Sequence, residues 1–259
     1  MMRRLGSLGL VAMLALMGCT PGNLRPDGDQ TGDLGTEQRQ SPADVYVKLG
    51  VAYMRNGDMA TALQKLKKGL EVDDGNAEAH NAIGLVYMQL GEKAPARRHL
   101  MRAVSLKPKN PYFHNALGTF LCADGEYEEA LRHFDQAIAN PLYPTPWVAE
   151  SNAGMCALRK GELERADGYF RKVLQRDPRQ PVALLNMARI SLAKGNYLSA
   201  RAYLQRLSAV AEPTPESLLL GVRAEEKLGN RKRALRYAAQ LKKRFPDSDQ
   251  AKALEESTK

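Results

Sequence analysis

Residues 77–108, AEAHNAIGLVYMQLGEKAPARRHLMRAVSLKP, contain the pattern that decides the fold. Apolar side chains in the first half recur every three or four residues, the spacing of one face of an α-helix. Gly91 follows this run, where a residue in the left-handed conformation commonly ends a helix. Pro95 lies near the start of a second amphipathic run, and Pro108 closes it. The stretch therefore predicts two helices joined by a tight turn.

This pair of helices recurs along the chain. The turn glycines are separated by 34, 34, 36, 34 and 34 residues: Gly57, Gly91, Gly125, Gly161, Gly195 and Gly229. Each is followed five residues later by an alanine: Ala62, Ala96, Ala130, Ala166, Ala200 and Ala234. A second small residue precedes each turn, seven residues earlier in five units and eight in the last: Gly50, Gly84, Gly118, Gly154, Ala188 and Gly221. A fixed period of this length predicts stacked repeats rather than one large core.

The small residues explain how the two helices of a unit pack. A bulky side chain at Gly84 or Ala96 would force the helices apart, so these positions must stay small in every unit. The repeated positions resemble the tetratricopeptide signature of about 34 residues. This resemblance covers most of the chain beyond Pro42 and implies an all-α fold, a right-handed superhelix of six helix-turn-helix units, that is, an α-solenoid.

The periods also set the boundaries of the repeats. We assign residues 43–250 to the repeat region and 251–259 to a C-terminal tail. Within the region the units span about 43–76, 77–110, 111–146, 147–180, 181–213 and 214–248. The extra residue between Gly221 and Gly229 makes the first helix of unit six the least regular.

The amino-terminal residues have the organisation of an export signal. Arg3 and Arg4 precede an apolar run from Leu5 to Met17. The run is shorter than the roughly 20 residues that cross a bilayer as a helix, so we expect its removal as a signal peptide over residues 1–18.

Leu16-Met17-Gly18-Cys19 resembles the lipobox of bacterial lipoproteins, in which the cysteine becomes the acylated first residue of the mature chain. Met17 departs from the usual pattern, and the alternative is a plain secretory signal with an incidental cysteine. Thr20, rather than Asp, follows Cys19, and in lipoproteins this implies sorting to the outer membrane. We expect a lipid anchor at Cys19, a flexible tether over 19–42 rich in Gly, Pro, Asp and Gln, and a location on the periplasmic face of the outer membrane.

Composition and motifs argue against several functions. The net charge is +9, but an exported chain does not meet nucleic acid, so the partners of its basic residues are anionic lipids or acidic proteins. No HExxH, GxSxG, P-loop or GxGxxG pattern is present. The four histidines recur with the repeat, and we expect no metal site, cofactor or small-molecule substrate. The chain is therefore expected to bind proteins and to catalyse nothing.

The first helices of tetratricopeptide units line a concave groove that takes extended or helical peptides. By this resemblance the wall in units one to three presents a mixture of apolar and amide side chains: Val47, Val51, Met54, Asn81, Leu85, Met88, Asn115, Thr119 and Cys122. Such a surface suits an amphipathic or hydrophobic peptide. Ordinary helix packing is the alternative for any one of these residues.

Three further features leave alternatives open. Cys122 and Cys156 lie on the first helices of neighbouring units, so spacing alone permits either a disulfide or two buried thiols. Residues 140–147, NPLYPTPW, contain three prolines, which forbid helix continuation. This segment forms either a kink in the superhelix or a loop that contacts a partner through Tyr143 and Trp147. The basic residues of 231–244 form either a solvated capping face or a docking site for an acidic partner.

Taken together, the lipobox, the tether, the six repeats and the segments 120–122, 140–144 and 152–156 resemble the type IV pilus biogenesis lipoprotein, the pilotin of the pilus secretin. The resemblance implies a protein that binds secretin subunits and promotes their localisation and multimerisation at the outer membrane, supporting pilus biogenesis and twitching motility. It also implies that Cys122 and Cys156 are bridged. The alternative is a general envelope scaffold for outer-membrane protein assembly or peptidoglycan synthesis.

Overall fold

Thirteen α-helices account for most of residues 41–256, the part of the chain that this computed structural model describes. They are α1 Pro42–Arg55, α2 Met59–Val72, α3 Ala77–Gln89, α4 Lys93–Leu106, α5 Pro111–Ala123, α6 Tyr127–Ile138, α7 Pro146–Lys160, α8 Leu163–Arg176, α9 Pro181–Ala193, α10 Tyr197–Ser208, α11 Pro215–Lys227, α12 Arg231–Arg244 and α13 Asp249–Glu256. No strand occurs between residues 41 and 256. The predicted all-α fold is confirmed.

Short polar side chains begin many of these helices, and glycines separate the two helices of a unit. The side chain of Asn76 accepts a hydrogen bond from the backbone N–H of Ala79 and so caps the start of α3. At the other end of that helix, Gly91 has a φ of +75°, which a residue with a Cβ adopts only with strain. The six turn glycines all have positive φ, as their spacing predicts.

The two helices of each unit pack closely at the small residues. A Cβ atom at Gly84 would lie 2.6 Å from Cγ of Leu100, too near for any real contact. Gly118 meets the ring of Phe134 in the same way, with a distance of 2.9 Å. Ala96 is fully buried between the helices. The close approach that the sequence predicts is therefore present.

The sixth unit forms despite its extra residue. Gly221, on α11, packs against Tyr237 of α12, and a Cβ atom there would lie 2.8 Å from the tyrosine ring. A thirteenth helix then packs on α11 and α12 through Ala251 and Leu254, which are buried. The segment assigned to a C-terminal tail thus includes most of α13.

The units stack in chain order. The second helix of each unit packs on the first helix of the next, and successive first helices also contact each other, from α1 with α3 to α9 with α11. Within residues 41–256, successive second helices make no such contacts. The first helices are therefore closer together and lie on the inner, concave side of the stack.

Among residues 41–256, no helix combines the length and the apolar character needed to cross a bilayer. The predicted signal peptide, Cys19 and nearly all of the tether lie outside the described residues. Ser41 and Pro42, its last two residues, belong to the start of α1, where the Ser41 hydroxyl accepts a hydrogen bond from the N–H of Asp44.

Candidate protein-binding groove

The groove wall is the inner surface formed by α1, α3 and α5. Seven of the side chains predicted to line it are half-buried, so part of each remains open to a ligand: Val51, Met54, Asn81, Leu85, Met88, Asn115 and Thr119. The apolar members pack at their bases against the hydrophobic cores of the first three units. This combination holds the side chains in place while their outer parts remain accessible.

Val47 differs from most of the predicted wall residues because it is buried. Val47 is only 7% exposed, although it occupies the same repeat position as Asn81 and Asn115. In unit one the facing helix carries Gly69, and Val47 fills the space that this glycine leaves, 3.3 Å from where a Cβ would lie. The residues at the position of Gly69 in units two and three are alanines. Their methyl groups occupy this space, so the side chain at the position of Val47 stays farther from the facing helix in those units. Cys122 is also buried and is not available to a ligand.

The two equivalent asparagines of the wall have different partners. The side-chain oxygen of Asn115 accepts a hydrogen bond from Nδ2 of Asn152 at 3.0 Å, which links α5 to α7. The hydroxyl of Thr119 donates to the backbone oxygen of Asn115 at 2.8 Å. The side-chain oxygen of Asn81, in contrast, is buried and receives no hydrogen bond from any described residue. Asn81 is therefore the wall position whose amide still lacks a partner.

A small cavity of about 130 Å³ continues the wall at the ends of α3 and α5. Its lining is apolar in the centre and charged at the rim: Met88, Gly91, Lys93, Phe120, Ala123 and Asp124. Met88 is a predicted wall residue, whereas no sequence pattern predicts Phe120 as part of a ligand site. The cavity is large enough to hold part of an apolar side chain from a partner.

Ion pairs hold the rim of this cavity in position. The Arg97 guanidinium lies 5.4 Å from the centre of the Phe120 ring, bonds to Asp124 at 2.9 Å and also pairs with Glu126. Hydrogen bonds from Lys93 and Arg97 lower the pKa of the Asp124 carboxyl, and the bond from Arg97 lowers that of Glu126. Both carboxylates are therefore charged at neutral pH. The rim presents fixed charges of both signs around an apolar floor.

A disulfide joins Cys122 of α5 to Cys156 of α7, with a Cα–Cα distance of 5.8 Å. The bridge connects units three and four at the place where the period lengthens by two residues. The Asn115–Asn152 hydrogen bond joins the same two helices. These cross-links fix the angle between the two units and with it the course of the wall.

The proline-rich segment forms an ordered connection between α6 and α7. Tyr143, expected as a contact residue in one of the two interpretations, is buried edge-on against Tyr112, with ring centroids 5.1 Å apart. Asn140 fixes the turn by donating to the backbone oxygen of Lys109 and by accepting from the N–H of Leu142. Leu142 itself is 86% exposed. The segment is therefore a hydrogen-bonded turn whose tip carries an exposed leucine, and Trp147 at its end is 39% exposed.

Sequence reasoning also missed two buried carboxylates. Glu225 is fully buried and accepts two hydrogen bonds from Arg201, at 2.8 and 2.5 Å. Glu150 is equally buried, and its nearest charge partner, Arg176, lies 3.5 Å away. A glutamate on a surface helix is ordinarily solvated, so neither residue stands out in the sequence. Both lie outside the wall of units one to three, and Oε2 of Glu150 accepts no hydrogen bond from any described residue.

The fold and the groove define a tetratricopeptide-repeat protein. Family models described as tetratricopeptide repeat match residues 53–119 and 157–220, residues 115–181, and residues 216–248. Together these matches run from the first unit to the end of α12.

Among curated proteins, the chain is 31% identical over 241 residues to the type IV pilus assembly protein PilF of Pseudomonas aeruginosa, covering 92% of this chain and 94% of that protein. It belongs to the family of that protein. The solved structure of Pseudomonas aeruginosa PilF matches with a TM-score of 0.75 and 30% identity, over 83% of this chain and 97% of the other. The structure of PilW, a widely conserved type IV pilus biogenesis factor, matches with a TM-score of 0.76 and 30% identity, over 82% and 97%.

These relationships fix the general role of the chain. It is a tetratricopeptide-repeat protein of type IV pilus biogenesis, and it acts through protein–protein interaction. Like the biogenesis factors to which it is related, it is a scaffold and not an enzyme.

Proposed function

We propose that this protein is an outer-membrane lipoprotein, anchored at Cys19 on the periplasmic face, whose groove wall binds subunits of the type IV pilus secretin. Binding promotes the localisation of the secretin to the outer membrane and its multimerisation there, and so supports pilus biogenesis and twitching motility. One observation carries the proposal: a chain of this pilus-biogenesis family has a continuous wall of half-buried apolar and amide side chains on the inner side of its first three units.

The chemistry of the wall suits a segment of another protein. Leu85 and Met88 offer apolar surface, and the flexible thioether of Met88 adapts to irregular shapes. The side chain of Asn81 makes no hydrogen bond with another described residue. Its oxygen is buried, but its amide nitrogen can donate a hydrogen bond to a backbone oxygen of a bound peptide. An amphipathic helix or an extended apolar segment of a secretin subunit would satisfy both features.

The anchor supplies the second half of the mechanism. Each buried methylene of an acyl chain contributes about 0.8 kcal/mol of membrane affinity, so a multiply acylated Cys19 would hold the protein firmly to one leaflet. The lipobox-like sequence before Cys19 and the polar tether after it support this assignment. A subunit held in the groove would then travel to the membrane in which the anchor resides.

The groove is tested by recovering the full-length protein from solubilised envelopes and measuring the secretin recovered with it. Met88→Glu places a charge on the wall, and we expect secretin recovery to fall about tenfold, as for a central interface residue. Met101→Glu is the matched control, because Met101 is 50% exposed on α4, outside the wall. Equal recovery with both variants, or recovery of envelope-assembly proteins in place of secretin, would contradict the proposal.

The anchor is tested separately with Cys19→Ser. The variant should fold normally, with the same melting temperature as the wild type, but both the protein and the secretin should be lost from the outer-membrane fraction. If fractionation still finds both in the outer membrane, delivery through Cys19 is wrong, whatever the groove binds.

A further inference from the structure

A second candidate binding surface lies at the other end of the stack, in unit six. A cavity of about 460 Å³ opens between α11 and α12, beyond the carboxyl-terminal end of α13. Its lining is largely apolar, with charged residues at the edge: Val222, Glu226, Gly229, Arg231, Ala234, Leu235, Ala238, Lys242 and Leu254. Leu235 is 60% exposed, which is unusual for a large apolar side chain beside a cavity.

The cavity exists because α13 covers only part of the surface beneath it. In the other five units, the two helices are covered by the first helix of the following unit, which is 13 to 15 residues long. In unit six α13 takes that place with eight residues, and its apolar contacts are with Leu218, Val222 and Leu241. Within residues 41–256, the half of the surface nearest the Gly229 turn therefore stays open.

Helix α12, which forms one side of this cavity, is strongly basic, and the cavity lining itself carries the basic residues Arg231 and Lys242 and the acidic residue Glu226. Residues 231–244, RKRALRYAAQLKKR, contain seven basic side chains and no acidic one. Within the described part of the chain, Arg231, Lys232, Arg236 and Lys243 form no ion pair with any carboxylate. The basic helix therefore retains charge that the described residues do not neutralise, and Arg231 brings part of this charge to the cavity.

The segment that fills the first half of the surface shows which chemistry fits. The sequence of α13, DQAKALEE, is acidic and amphipathic: Ala251 and Leu254 are buried, and Glu255 pairs with Lys242 at 3.3 Å. An acidic amphipathic helix is thus already accommodated by this face of α11 and α12. A second such helix, packed over the open half of the surface, would bury Leu235 and bring its carboxylates to Arg231.

From these observations we infer that the open half of the α11–α12 surface is a docking site for an acidic amphipathic helix of a partner protein. This site is separate from the groove wall of units one to three, and it gives the scaffold a second contact. Two contacts on one rigid stack would raise the effective concentration of one partner near the other.

The test uses the full-length protein and a fluorescein-labelled peptide of 14 residues, designed as a helix with leucines on one face and glutamates on the other. Fluorescence anisotropy should show saturable binding that weakens as salt is added, because the contact includes charge pairs. A peptide with the same leucines and with lysines in place of the glutamates should not bind. Leu235→Asp should weaken binding about tenfold or more.

Two matched controls make the result specific. Leu198→Asp introduces the same charge at a leucine that is 67% exposed on α10, and it should leave binding unchanged. Arg231→Glu should weaken binding more than Lys232→Glu, because Arg231 lines the cavity and the neighbouring Lys232 does not. Circular dichroism melting of each variant checks that the fold is intact.

Several outcomes would overturn the inference. These are an absence of saturable binding, equal binding of the basic peptide, or equal effects of Leu235→Asp and Leu198→Asp. Sedimentation that shows self-association through Leu235 would assign the site to a second copy of the chain. Binding of phosphatidylglycerol vesicles through Arg231 and Leu235, without binding of the acidic peptide, would assign it to a membrane surface.

Discussion

The Nδ1 atoms of His80 and His99 lie 3.0 Å apart, which joins the two helices of unit two by a histidine–histidine hydrogen bond. One repeat later His114 and His133 form the same pair at 2.9 Å. Nε2 of His80 lies 3.1 Å from the backbone oxygen of Asp74, which can only accept, so this nitrogen carries a hydrogen. In the neutral pair, Nδ1 of His80 then accepts from Nδ1–H of His99. The repeated histidines are therefore structural links between helices.

This arrangement predicts that stability depends on pH. Burial, the neighbouring His80 and the positive charges of Arg98 and Lys67 lower the pKa of His99 to about 4 from an ordinary value of 6.5. Burial also lowers the pKa of His133. Between pH 6.5 and about 4, His99 is protonated in the unfolded chain but not in the folded chain. The free energy of unfolding therefore has its highest value above pH 6.5 and decreases as the pH falls toward 4.

Urea unfolding at pH about 7 and about 5 measures this loss, and the double variant His99→Gln/His133→Gln provides the comparison. With both histidines replaced, the midpoint should change less over the same pH range. An identical change in the wild type and the variant would show that other groups, not these histidines, set the dependence.

Much of the fold can be predicted from the sequence because each unit has small residues at the same positions. The left-handed turn at Gly91 and the close approach at Gly84 each depend on the absence of a side chain, and such positions are visible as glycines at a fixed period. The lengthened connection near Asn140 is visible for the same reason, since prolines interrupt the helices there.

The parts of the candidate site that were missed depend on the facing helix. Val47 is buried because Gly69 leaves room for it, and Gly69 lies outside the repeat signature. Tyr143 lies in a proline-rich loop but packs inward on Tyr112. Phe120 becomes part of a cavity only because the ends of α3 and α5 meet. Each of these outcomes depends on which residue of another helix lies opposite, and the repeat pattern of the sequence does not specify such contacts.

The glycines of the helices differ in what replacement would do. Gly84→Ala adds a Cβ that would lie 2.6 Å from Leu100, so we expect a loss of about 1 to 3 kcal/mol in the free energy of unfolding. Gly168, within α8, has nothing within 4 Å of the same added atom. Gly168→Ala should therefore stabilise the protein by about 1 kcal/mol through helix propensity alone. Denaturant titrations of the two variants measure this contrast, and equal effects would refute the close-packing argument.

The disulfide between Cys122 and Cys156 should contribute substantially to stability. It closes a loop across a sequence separation of 34 residues, and the chain-entropy model gives about 3 to 4 kcal/mol for a loop of this size. The double variant Cys122→Ala/Cys156→Ala should lower the free energy of unfolding by this amount, as should reduction of the wild type. If reduction leaves the unfolding midpoint of the wild type unchanged, the bridge does not constrain the unfolded chain as argued.

Arg201 compensates the buried charge of Glu225, so we expect the two residues to be coupled in their effect on stability. Glu225 is nearly inaccessible and accepts both of its short hydrogen bonds from Arg201, whereas Arg233 is 3.9 Å away. Arg201→Met removes the main partner and leaves a buried carboxylate, so we expect a loss of about 3 kcal/mol. Adding Glu225→Gln removes the uncompensated charge and should restore part of that loss, giving a coupling free energy of about 1 kcal/mol or more in a double-mutant cycle. Purely additive effects of the two substitutions would show that the carboxylate of Glu225 does not depend on Arg201 for its compensation.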